Sequence, residues 1–97
     1  MFVVVCYDVA TESEGGKKRL RRVAKICGNN GQRVQHSVFE CQLDWSQFLV
    51  LRANLLREMD EKQDSLRFYL LGNRHESKVE HYGVKENFDL QTDTLLL

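Results

Sequence analysis

The sequence predicts an α+β fold: a β-α-β-β-α-β chain with an extra C-terminal strand, its antiparallel sheet covered by two helices on one face. Three observations point there. Phe2 to Val9 is an apolar, β-branched run, and "SLRFYLLGN" at 65–73 sets Leu66, Phe68 and Leu70 against Arg67 and Tyr69 in strict alternation. From Lys17 to Cys27, and again from about 45 to 60, apolar residues recur every third or fourth position instead. Turn-forming residues separate these segments, at Gly15–Gly16, at "GNNG" (28–31) and at Gly72–Asn73.

Each element follows in chain order. The first strand is apolar on both faces, with Val3, Val5 and Tyr7 on one side, Val4 and Cys6 on the other, and Asp8 at its tip. In the helix from Lys17 to Cys27, Leu20, Val23, Ala24 and Cys27 fall at i, i+3, i+4 and i+7, while Lys18, Arg21, Arg22 and Lys25 spread over the opposite side. The "GNNG" segment is expected to end this helix with a left-handed C-cap. In "QRVQHSVFECQLD", Phe39, Cys41 and Leu43 alternate with Glu40 and Gln42 as a half-buried strand, and "RVQHS" is a shorter strand that pairs or bulges into it. Asp44 caps the second helix, with Gln47 in capping-box position, and Phe48, Leu51, Leu55 and Met59 form the inward stripe. "EKQD" closes it, "SLRFYLLGN" is the next strand, "KVEHYGV" is the last, and "LQTDTLLL" is an apolar tail.

This order is the split-βαβ, ferredoxin-like plan. Residues 1–75 form that domain, and 76–97 form a C-terminal strand and tail that pack on a partner protomer. The plan leaves one sheet face bare, yet the first strand is apolar on both sides, so a second copy of the chain is the simplest cover.

At 97 residues and 42% apolar content the chain makes one globular domain and not a disordered one. The net charge is zero but unevenly spread. Lys17, Lys18, Arg19, Arg21, Arg22 and Lys25 have no acid among them, whereas Asp44, Glu58, Asp60, Glu61 and Asp64 crowd the second helix and its end. Cys6, Cys27 and Cys41 are odd in number and lack a C-x-x-C pair, which reads as core thiols in a reducing, cytoplasmic compartment. No apolar run is long enough to span a membrane, and the start lacks the basic region of a signal peptide.

Two features carry chemistry. Like charges at helical spacing destabilise a helix, and a phosphate backbone would relieve the six cations, with Arg33 beside the hairpin as a lesser member. The plain alternative is a solvated helix face. Asp8 ends the first strand on its bare side, so two copies would meet near a dimer dyad. Such carboxylates repel unless one is protonated or a cation lies between them. Magnesium suits, because it accepts one or two carboxylates, and it can activate water for attack on a phosphodiester. The plain alternative is that Asp8 caps the following turn. Ser37 has no His–Asp partner in the sequence and by default bonds within a turn, and His36, His75 and His81 show no ligand spacing.

"VVVCYDV", the basic helix after two glycines, "GQRVQHSVFEC" and "DSLRFYLLGN" together resemble the CRISPR-associated Cas-two family, from Phe2 to about Gly83. "KVEHYGVK" is similar to members from compact type I systems. The resemblance implies a ferredoxin-like homodimer that acts with the Cas-one integrase when new spacers are captured. It also implies a metal-dependent endonuclease on RNA or double-stranded DNA, using Mg2+ (or Mn2+). Asp8 would then be the catalytic and metal-binding residue, with Ser37 and Phe39 of the Q-x-S-V-F hairpin helping to shape the site. Two further readings share the fold: a toxin-type ribonuclease and a non-catalytic RNA-binding module. The second lacks the aromatic-rich motif that marks RNA-recognition sheets.

Overall fold

A computed structural model describes residues 1–72 and 77–84. The elements are β1 (Phe2–Asp8), α1 (Glu14–Asn30), β2 (Gln32–Gln35), β3 (Val38–Gln42), α2 (Trp45–Glu58), β4 (Ser65–Leu71) and β5 (Ser77–Gly83). One five-stranded sheet runs in the order β2-β3-β1-β4-β5, and every neighbouring pair is antiparallel. The expected α+β plan is therefore present, with β5 added beyond β4.

Strand alternation builds the core. Val3, Val5 and Tyr7 of β1 lie beside Phe39 and Cys41 of β3 and Leu66, Phe68 and Leu70 of β4, all facing the helices. Val23 and Cys27 of α1 and Phe48, Leu51 and Leu55 of α2 close over them. Phe48 meets Phe68 edge to face, with centroids 5.2 Å apart, a geometry the ring quadrupoles favour. Each such fully buried side chain contributes about 1.5–3 kcal/mol.

The opposite sheet face carries Phe2, Val4, Cys6 and Asp8 next to Leu71, Tyr69, Arg67 and Ser65. It is not uniformly bare. Val4, Arg67 and Tyr69 are buried within the chain, and among the exposed large apolar residues Leu71 (39%) and Val79 (47%) lie on this face.

Local chemistry explains where the boundaries differ from expectation. Helix α1 starts before Lys17, because Ser13 caps it, its Oγ accepting the Gly16 N–H at 3.0 Å. Gly15 and Gly16 therefore lie inside the first turn. A Cβ on Gly16 would run into the carbonyl oxygen of Ala10, so only glycine lets the β1–α1 loop wrap this closely. Nor does the helix end in a left-handed cap. It continues to Asn30, and Gly31 is extended at φ −166°. Glycine is needed there because a Cβ would meet the Glu40 carbonyl and the Cys41 sulfur.

The capping box at Asp44 and Gln47 forms as expected, and the hairpin register slips between Arg33 and Gln35, which is the expected bulge. Strand β5, grouped by sequence with the tail, pairs with β4 from Ser65↔Gly83 to Leu71↔Ser77. It is an edge strand of this chain's own sheet. The tail "LQTDTLLL", His75 and Asn73 lie outside the described residues. Among the described residues no helix is long and apolar enough to cross a membrane.

Candidate functional site

Helix α1 sorts its cations by direction. Lys18, Arg21, Arg22 and Lys25 recur at i, i+3, i+4 and i+7 and line a shallow depression of about 260 Å³ on the outer face. They and Lys17 are exposed. Lys17 sits 3.4 Å from Glu14, and Arg22 sits 3.7 Å from Glu58 of α2. Exposed pairs of this kind contribute at most about 1 kcal/mol. Among the described residues Lys18, Arg21 and Lys25 have no ion pair.

Arg19 turns the other way. Its Nε donates to Asp64 Oδ2 at 2.8 Å, and a terminal nitrogen donates to Oδ1 at 3.3 Å. Asp64 is fully buried. Its oxygens also accept the N–H groups of Ala10 at 3.0 Å and Asp60 at 2.8 Å. The hydrogen bond from Asp64 raises the Arg19 pKa above its ordinary value, so the guanidinium stays charged. Five of the six helix cations thus face solvent while Arg19 locks the β1–α1 loop to the α2–β4 turn. Nothing in the local spacing pairs Arg19 with an acid forty-five positions away.

Asp8 ends β1 with its Cα opposite Ser65, and it is exposed. The loop beyond it is fixed two residues on, where Ala10 bonds to Asp64. Among the described residues no group of three or more His, Cys, Asp or Glu side chains converges where a metal ion could be held. Ser37 is half-buried in the β2–β3 turn, its carbonyl accepting the Tyr7 N–H at 3.1 Å. The turn therefore rests against the end of β1, near Asp8, through main-chain bonding.

Phe39 does not join them. It is 3% exposed on the helix-facing side, its ring stacked 6.2 Å from Tyr7, and β1 alternation places Asp8 on the other face. Phe39 is a core residue, so whatever it gives the site it gives through packing. Arg33 covers it, with the guanidinium 5.1 Å above the ring. His36 is exposed in the turn, and His81 Nδ1 accepts from Arg67 at 3.2 Å.

The family model for CRISPR associated protein Cas2 matches residues 1–79. The chain is 58% identical to the CRISPR-associated endoribonuclease Cas2 of Chlorobaculum tepidum, covering all of both chains. It is 55% identical to the CRISPR-associated endonuclease Cas2 of Halalkalibacterium halodurans, over 94% of this chain and 95% of that one. Among solved structures it is similar to Streptococcus pyogenes Cas2 at pH 6.5, with a TM-score of 0.69 and 56% identity, covering 74% of this chain and 87% of that one. With the fold, the order of elements and these likenesses in agreement, the chain belongs to the CRISPR-associated Cas2 family.

Proposed function

We propose that this chain works in the cytoplasm as a homodimer that grips duplex DNA and bridges Cas-one integrase subunits during spacer acquisition. The observation that carries this reading is the α1 stripe, where Lys18, Arg21 and Lys25 stand exposed without an ion pair among the described residues. Cations so placed exchange counterions for phosphates, and two copies can track one duplex. The apolar margin at Leu71 and Val79 supports the dimer, because it is surface that a second copy would hide.

Endonuclease activity is the second reading, supported by the exposed Asp8 and by the names of the relatives. Among the described residues of one chain Asp8 has no cluster of three or more potential ligands around it to hold a metal. Two Asp8 side chains brought together by the dimer would suit Mg2+ (or Mn2+), which would supply positive charge to a reacting phosphodiester. A sparse carboxylate set ranks below a dense cation stripe, so the bridging role comes first. The RNA-binding alternative loses support because Tyr69 is buried in the sheet and not presented for stacking.

Integration of a labelled DNA duplex by the co-purified integrase tests the ranking. Asp8→Asn should integrate like wild type, and Lys18→Ala/Arg21→Ala/Lys25→Ala should fail. Both should sediment at about twice the 11.4 kDa chain mass. Loss of integration in an Asp8→Asn protein that still dimerises would make chemistry at Asp8 the main function. A monomeric wild type would end the bridging reading.

A further inference from the structure

The two helices treat solvent differently. Helix α1 turns cations outward, whereas the outer side of α2 is apolar. Trp45 is 53% exposed and Val50 60%. Ala53 is exposed as well, and Leu49 and Leu56 are half-buried at the margin of the core. From Trp45 to Leu56 these residues run along about 16 Å of helix. No Lys, Asp or Glu occurs between Trp45 and Arg57, and Arg52 is bound to Glu80 of β5 at 2.9 Å. A surface helix ordinarily sets charged residues opposite its core stripe. An apolar outer face of this extent therefore marks a contact surface.

The two ends of the helix point to the occupant. Asp44 is exposed at one end and Arg57 at the other, and Arg57 has no ion pair among the described residues. Lay a second α2 antiparallel against the first, about a two-fold axis, and each Asp44 meets the Arg57 of the other copy. The same register brings Trp45 against Leu56 and Leu49 against Ala53, because the members of each pair lie almost equally far from the helix middle. Ala53 is the smallest apolar residue of the face, and it lets the axes approach to about 8–10 Å. The face is complementary to itself in charge, shape and hydrophobicity.

We infer that this face of α2 pairs with the same face of a second copy of the chain, antiparallel about a two-fold axis. It lies across the sheet from the Leu71 and Val79 margin, so one chain can make both contacts, and dimers joined through the sheet associate further through α2. A single helix pair falls below the roughly 800 Å² per partner of a standard interface, so this association is weak and depends on concentration. Glu58 of α2 lies 3.7 Å from Arg22 of α1, so pairing sets the basic stripes of neighbouring dimers on one side of the assembly. The inference goes beyond the bridging reading and needs no DNA. A membrane surface fits less well, since it favours Lys and Arg along the polar face of a helix.

Sedimentation equilibrium of the full chain without DNA, from about 10 μM to about 1 mM, covers the range of weak interfaces. The average mass of wild type should rise from about twice toward about four times the 11.4 kDa chain mass. Trp45 is the single tryptophan of the chain, so its quenching by iodide should fall over the same range. Ala53→Glu and Ala53→Lys each set like charges near the two-fold axis, at an exposed position where both residue types favour helix. Each variant alone should keep its low-concentration mass throughout, and an equal mixture of the two should associate as wild type does. Arg57→Glu, which sets acid against acid at both ends, should also stay at its low-concentration mass.

A wild-type mass that does not rise overturns the inference, and so does a rise that persists in the Ala53 variants or in Arg57→Glu. Association lost in both Ala53 variants and not recovered in their mixture would mean that α2 meets a different surface, which also overturns it. If wild type is a monomer at the lowest concentration, the bridging reading falls. The α2 pair is then still decided by whether the mass doubles in wild type and not in the variants. Should an Ala53 variant fail to fold, Arg57→Glu carries the comparison.

Discussion

Removing the three α1 cations without an ion pair should change the salt dependence of DNA binding by an amount that can be worked in advance. Each phosphate neutralised on B-DNA contributes about −0.9 to the slope of log affinity against log salt. Lys18, Arg21 and Lys25 all point to solvent with no ion pair among the described residues. One chain engaging all three therefore contributes a slope of about −2.7, and two chains on one duplex about −5. Raising salt fourfold should then weaken binding about 40-fold per chain, and on the order of a thousandfold for the dimer. The triple alanine variant should lose that part of the slope while its thermal unfolding stays close to wild type, because none of the three is buried. Arg22 gives an internal control. Glu58 lies 3.7 Å from it and competes with phosphate, so Arg22→Ala should change the slope less than Arg21→Ala. Fluorescence anisotropy of a labelled duplex across a salt series measures both. An unchanged slope in the triple variant, or an Arg22 effect larger than that of Arg21, would refute the assignment of the stripe to phosphates.

Two further expectations concern the fold that aims the stripe. In Asp64→Ala the N–H groups of Ala10 and Asp60 lose their acceptor, at about 1 kcal/mol each for partly buried donors. The unfolding midpoint should fall on the order of 10 °C, and a change of only a degree or two would show that the junction bears little. Cys27 supplies a pH dependence. Burial, with Cys41 nearby, pushes its thiol up to about 12 from an ordinary value near 9. Between those values the unfolded chain has released a proton that the folded chain still holds, so stability falls as pH rises. The loss reaches about 1.4 kcal/mol per pH unit for one group, and the contribution is fully present below about pH 9. Urea unfolding at neutral and alkaline pH should show this decline, flattened in Cys27→Ala. Equal alkaline slopes in the two proteins would count against it.

What the sequence discloses and what it hides follows from the range of the interactions. The two faces of β1, the capping box at Asp44 and the hairpin bulge rest on neighbours within a few positions, and all three appear where expected. Period-two alternation likewise places Phe39 with Cys41 and Leu43 on the core face, and the structure agrees. The start of α1 was obscured because two glycines in a row resemble a break, whereas Ser13 caps them into the first turn. Arg19 was illegible for a different reason. It is the same residue type as its exposed neighbours, and only the folded chain brings Asp64 to it.

That single buried carboxylate links the two features from which function was argued. Through Arg19 it fixes α1, which carries the cation stripe, and through Ala10 it fixes the loop that follows Asp8. Its main-chain carbonyl accepts the Val84 N–H at 2.9 Å, just beyond β5. Gly83 passes against the same carbonyl at φ 92°, a conformation that favours glycine. The basic helix, the loop after the carboxylate strand and the edge strand are therefore registered on one point and cannot shift independently. Such coupling suits a protein whose task is to hold DNA at a fixed angle to a partner, because the direction of the stripe relative to the sheet is then set by buried hydrogen bonds and not by exposed ion pairs. A hydrolase built on Asp8 alone would need its loop fixed but would have no need for α1 to share the anchor. The shared anchor is thus a second, independent physical argument for ranking the bridging role above catalysis.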